Sequence, residues 1–88
     1  MATSSLLGLD IQRLLRRAEH LAGIKLPKEV IEVTLEPKLD TLCVRFKKPS
    51  DGELGEPSHP HVHLFRDRTN REITAVELLE IDELSAPT

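Results

Sequence analysis

The chain has 88 residues, 39% of them hydrophobic and 31% charged, with a formal net charge of −3, one cysteine, two phenylalanines and no tryptophan or tyrosine. Such a length gives one domain with a thin core built from Leu, Ile and Val, because a chain this short buries only about 60–65% of the surface its unfolded form exposes. The single Cys43 excludes an internal disulfide, and Met1 to Leu9 lacks both the basic start and the apolar run of a signal peptide; with no segment long and apolar enough to span a bilayer, a cytoplasmic protein is expected.

Charge is unevenly spread. Residues 1–28 hold five basic and two acidic side chains, and residues 29–88 hold seven basic and thirteen acidic ones. Opposite charge at two ends can steer self-association, although a solvated helix face accounts for it more simply. Abundant charge with a single Asn (Asn70) and a single Gln (Gln12) suggests a thermophilic source.

In chain order, the first element is a helix over about residues 9–22. Ile11, Leu14, Leu15, Ala18, Leu21 and Ala22 recur at the spacing of one buried stripe, and Leu7 extends it backwards. Ser5 or Asp10 can cap its start. Gly23 suits its end and Pro27 prevents continuation. Strands are expected at about 30–35, where Ile31, Val33 and Leu35 alternate with Glu32 and Thr34, and at 41–47, where Leu42, Val44 and Phe46 alternate with polar residues. Pro37 to Asp40 reads as the turn between them.

Lys48 to Pro60 reads as a long polar loop, rich in Pro and Gly. A third strand is expected at 61–66, with Val62 and Leu64 opposite His61, His63 and Phe65. A fourth is expected at 73–81, as a strand throughout or one that frays into a short helical turn, with Val76 and Leu78 opposite Ala75, Glu77 and Leu79. The tail, about 83–88, is expected to be disordered. The outcome is an α+β fold: one N-terminal amphipathic helix packed on a mostly antiparallel meander of about four strands. Its thin core and open sheet edges favour a homodimer.

Two stretches carry a resemblance. Val33 to Phe46 (VTLEPKLDTLCVRF) resembles the opening hairpin of the uncharacterised "domain of unknown function 2283" family, in which a strand meets an acidic residue and Pro, then Asp, then an apolar strand. Leu64 to Leu79 resembles its closing hairpin, with Val76, Glu77, Leu78 and Leu79 matching the last strand. The likeness covers about residues 30–81, and Ala75 stands where the family often has Gly. The family brings no catalytic residues. Some members are thought to be encoded beside small toxin-like proteins, so the resemblance implies a binding or antitoxin-like role with a small partner protein.

The densest chemical feature is His59-Pro-His61-Val-His63. On a strand, His61 and His63 share a face about 6.5–7 Å apart, a spacing at which two imidazoles can share Zn²⁺ or another divalent ion. Glu56, His59 or Asp67 can offer a third ligand. A polar strand face without an ion is the simpler reading, because no converging ligand is visible by spacing. Arg13, Arg16, Arg17 and His20 line one side of the helix and can meet phosphates or an acidic partner face. An acidic chain without an aromatic stacking platform argues against nucleic acid. Cys43 reads as a packing residue rather than a nucleophile. The function read here is a small interaction module, with metal binding and antitoxin-like regulation as alternatives.

Overall fold

Local capping rules account for the helix at residues 11–22. In the computed structural model, which describes residues 10–85, α1 (Ile11–Ala22) starts at Asp10, whose carboxylate accepts the Arg13 backbone N–H at 3.0 Å. It stops at Gly23, where φ is +66° and the backbone N–H returns to the Glu19 carbonyl. A Cβ at Gly23 would meet nothing within 4 Å, so the left-handed turn and not space selects glycine there. Glu19 Oε2 then accepts the Leu26 N–H at 2.7 Å and folds the outgoing chain back along the helix. Leu7, Ser5 and Leu9 lie outside the described residues.

Five strands follow: β1 (Glu32–Glu36), β2 (Thr41–Arg45), β3 (Glu53–His59), β4 (Val62–Asp67) and β5 (Ile73–Leu79). They form one antiparallel sheet in the order β1-β2-β5-β4-β3. A β1–β2 hairpin, turned by the short 3₁₀ segment Pro37–Leu39, is thus joined to a β3-β4-β5 meander through the β2–β5 ladder. Register sets the core. Val33, Val44, Val76 and Leu64 stand side by side in one row, and Leu35, Leu42, Leu78 and Val62 in the next. Leu14, Leu15 and Ala18 of α1 close over this platform, and Leu26, Phe46, Ile81 and Leu84 complete a single buried cluster.

Three expectations are corrected. First, the sheet has five strands, because β3 lies inside the stretch read as a loop. Its partners in the two core rows are Glu56, opposite Leu64, and His59, opposite Val62, so β3 adds no apolar residue to the platform. It is an edge strand, where Pro57 is tolerated because no neighbour needs its missing N–H. Second, β4 begins at Val62, leaving His61 in the turn before it. Third, β5 ends at Leu79 instead of 81, and the helical turn allowed at its end is a packed helix that extends into the expected tail. Glu80 takes a left-handed φ of +56°, and a five-residue helix, α2 (Ile81–Ser85), follows, with Ile81 and Leu84 buried. The β1–β2 turn holds it: Asp40 accepts the Ile81 N–H through its carbonyl and the Asp82 N–H through Oδ2. The expected tail at 83–88 is therefore helical to Ser85, and 86–88 lie outside the described residues.

One carboxylate organises the far end of the sheet. Asp67, 3% exposed, accepts the backbone N–H groups of Ser50, Thr69 and Asn70 and the Ser50 hydroxyl. Those donors hold its carboxyl at about 2, the Ser50 backbone N–H contributing most. The segment between β2 and β3 is thereby fastened to the β4–β5 turn.

Two outcomes are expected. Leu84→Ala should lose about 2–4 kcal/mol in urea unfolding, the usual cost of emptying a core leucine site, whereas a frayed tail would lose nothing. Because Asp67 titrates lower in the folded chain than in the unfolded one, its contribution is complete above about pH 4 and disappears as pH falls towards 2. Asp67→Asn should lower the melting temperature at pH 7 and flatten the dependence of melting temperature on pH between 4 and 2.

Candidate functional site

The helices cover one face of the sheet, and the register displays what the other presents. One outward row crosses all five strands as Glu32, Arg45, Ala75, Phe65 and Gly55; the next runs Thr34, Cys43, Glu77, His63 and Pro57. Cys43, Phe65, Glu77 and His63 are half-buried by their neighbours, and Ala75 is wholly buried among them.

Two polar clusters mark this face, one at Arg45 and Glu53 and one at His63 and Glu77. Arg45 grips Glu53 through two contacts, Nη1 to Oε1 at 2.8 Å and Nη2 to Oε2 at 3.2 Å, and Nη1 also donates to the Lys47 carbonyl. The Thr74 hydroxyl donates to the same Glu53 carboxylate. The Arg45 hydrogen bond lowers the Glu53 carboxyl against the opposing effect of burial, and the same bond raises the Arg45 guanidinium. The pair links β2 to β3, which are not neighbours in the sheet. On β4, the His63 ring stacks on Phe65 with centroids 5.0 Å apart, and His63 Nδ1 lies 3.7 Å from Glu77 Oε1. Both rings roof Gly55: a Cβ there would lie 3.1 Å from His63 Nε2 and 3.6 Å from Phe65 Cε1. Aromatic cover of a strand glycine replaces the packing that its missing side chain cannot supply.

Cys43 lies on β2, between Thr34 and Glu77 in its row. Burial raises its thiol, the neighbouring Arg45 partly offsets this, and Glu77, Glu53 and Glu32 raise it again. The thiol is therefore protonated at neutral pH and a poor nucleophile.

The structure separates the histidine run. His63 belongs to the open face. His61 turns to the opposite end of β5 and to α2, where its Nδ1 lies 3.1 Å from Glu80 Oε1 and its Nε2 lies 3.6 Å from Glu83 Oε2. His59 sits beside it, ring centroids 5.6 Å apart, and accepts the His61 backbone N–H on Nδ1. Among the described residues, the group of three potential metal donors within 4.8 Å of one another is His61, Glu80 and Glu83. The suggested third ligands are engaged elsewhere: Glu56 pairs with Arg66 at 2.8 Å, and Asp67 is the loop anchor. Glu80 and Glu83 were missed because they fall where a fraying strand and a disordered tail were expected. Their three-residue spacing before a buried Leu84 is the signal for two carboxylates on one face of a helical turn.

On α1, Arg13, Arg16 and His20 are exposed, whereas Arg17 is half-buried with its Nε enclosed. Arg16 lines a groove with Lys25 and Lys28, whose acidic member, Glu19, already holds the Leu26 N–H. No protein-family model, curated protein or solved structure matches the chain. No helix among the described residues is long and apolar enough to cross a membrane.

The protonated thiol has a measurable consequence. Iodoacetamide should modify Cys43 at pH 8 several-fold more slowly in the folded chain than in urea. Arg45→Gln should slow it further, since Arg45 is the neighbour that favours the thiolate. Equal rates in folded and unfolded chain would contradict this account.

Proposed function

We propose that the chain is a small interaction module that self-associates through the open face of its sheet. The observation that carries this reading is the pair of outward rows centred on Ala75 and Glu77, which no helix among the described residues covers. Arg45, the cation of these rows, is already bonded to Glu53 within the protomer, and His63 stacks on Phe65 beside Glu77, so covering them leaves no unpaired guanidinium. The sheet edges are poorer docking sites. Edge β3 carries Pro57 and an irregular register between Pro57 and His59. Edge β1 is regular, but an antiparallel copy centred on Thr34 would set Glu32 against Glu36, and like charges directly opposite are destabilising. Face-to-face packing of two sheets about 10 Å apart avoids both obstacles and adds apolar burial to a domain with only two aromatic residues of the Phe, Tyr and Trp class.

Light scattering of the purified chain should give twice the 9.9 kDa protomer mass. Thr34→Arg and Cys43→Arg place a charge on the shared face and should each return the protomer mass while circular dichroism stays unchanged. A strict monomer at about 1 mM, a concentration that detects even weak pairs, would refute the proposal.

A further inference from the structure

We infer a divalent-cation site of the zinc class where the β3–β4 turn meets α2, with His61, Glu80 and Glu83 as its protein ligands. It lies apart from the open face and does not depend on self-association.

The first support is the way His61 is fixed. Its backbone N–H is held by His59 Nδ1 at 3.1 Å, and its carbonyl accepts the Leu79 N–H at 2.9 Å. Its Nδ1 lies 3.2 Å from the Leu79 carbonyl and 3.1 Å from Glu80 Oε1, both acceptors. The Leu79 carbonyl can only accept, so it places the proton on Nδ1, and Glu80, 61% exposed, turns from that nitrogen to reach an ion on Nε2. Nε2 is then left as the lone-pair donor, and it faces another electron-pair donor, Glu83 Oε2, at 3.6 Å. Two such donors facing each other call for a cation between them. An Nδ1–H held by a backbone carbonyl is also the usual outer-shell arrangement for a metal-ligating imidazole.

The second support is convergence. The donors come from three positions: a turn, the left-handed Glu80 that ends β5, and the first turn of α2. They nevertheless lie within 4.8 Å of one another. Ligands on a tetrahedral zinc stand about 3.4 Å apart at bond lengths near 2.1 Å. The Glu80 and Glu83 side chains, 61% and 68% exposed, have the freedom to close that difference. One imidazole and two carboxylates select the zinc class over calcium or magnesium, which take all-oxygen sets. Three protein ligands leave a fourth position for water. His59 supports from behind, because its Nδ1 is spent on the His61 backbone. The alternative is His61 lying between the two carboxylates with no metal.

The experiment uses the full chain without a histidine tag, titrated calorimetrically with ZnCl₂ in a non-chelating buffer, with Co²⁺ absorption reporting the ligand geometry. The inference requires saturable uptake of one ion per chain, weakened at least tenfold by both His61→Ala and Glu83→Gln and unchanged by His63→Ala. Glu83→Gln alters an exposed side chain, so its result stands even if His61→Ala fails to fold. Three results would overturn the site: wild-type affinity in Glu83→Gln, loss of binding in His63→Ala, or no saturable uptake up to about 1 mM zinc. The last would mean that His61 and the two carboxylates meet without a metal.

Discussion

Everything in this fold leans on the ladder between β2 and β5. It joins a hairpin to a three-stranded meander, and neither part has a core of its own. Pairing Val44 with Val76 and Leu42 with Leu78 brings the apolar residues of four strands into two adjacent rows. Only then is there a surface wide enough for α1 to cover. A shift of one residue in this ladder would turn Cys43 and Arg45 inward and the valines outward, because strand side chains alternate with a period of two.

The two ends of the sheet are closed by different means. At one end the connection from β2 to β3 crosses the ends of β5 and β4, fastened by Asp67 and by the Arg45–Glu53–Thr74 cluster. At the other, α2 plugs the core with Ile81 and Leu84 while Asp40 and His61 hold its approach. Buried polar groups are expensive unless bonded, and these are the positions where the sequence places short acceptors and fixed donors to meet that cost. A cation at His61 would add a link between the β3–β4 turn and α2.

The parts legible in the sequence are those governed by periodicity and by single-residue turn chemistry. Gly23 ends α1 as expected, Asp10, one of two candidate caps with Ser5, starts it, and Leu42, Val44, Phe46, Val62, Leu64, Val76 and Leu78 are all buried. Strand β3 was illegible for a physical reason. Its stability comes from pairing with β4 and from ties such as Glu56 to Arg66, while its own residues, Gly55, Glu56, Pro57 and Ser58, signal a loop. Helix α2 was legible only as a short helical turn at the end of the last strand, because five residues are too few to show a period. The histidine run was visible as chemistry, but its division was not. Starting β4 at Val62 instead of His61 separates His61 from His63, and that boundary is set by the β3–β4 turn, which follows from an unrecognised strand.

The strand order also constrains how the chain reaches this structure. Arg45 of β2 pairs with Ala75, about thirty positions further along. Until β5 is available, the first hairpin has one open flank and no helix-binding surface, and α1 has nothing to rest on. Assembly therefore waits on a distant closure, the condition under which two-state domains fold slowly. During synthesis the apolar side of Leu42 and Val44 would remain uncovered until β5 emerges, the interval in which a nascent chain most needs protection from its neighbours.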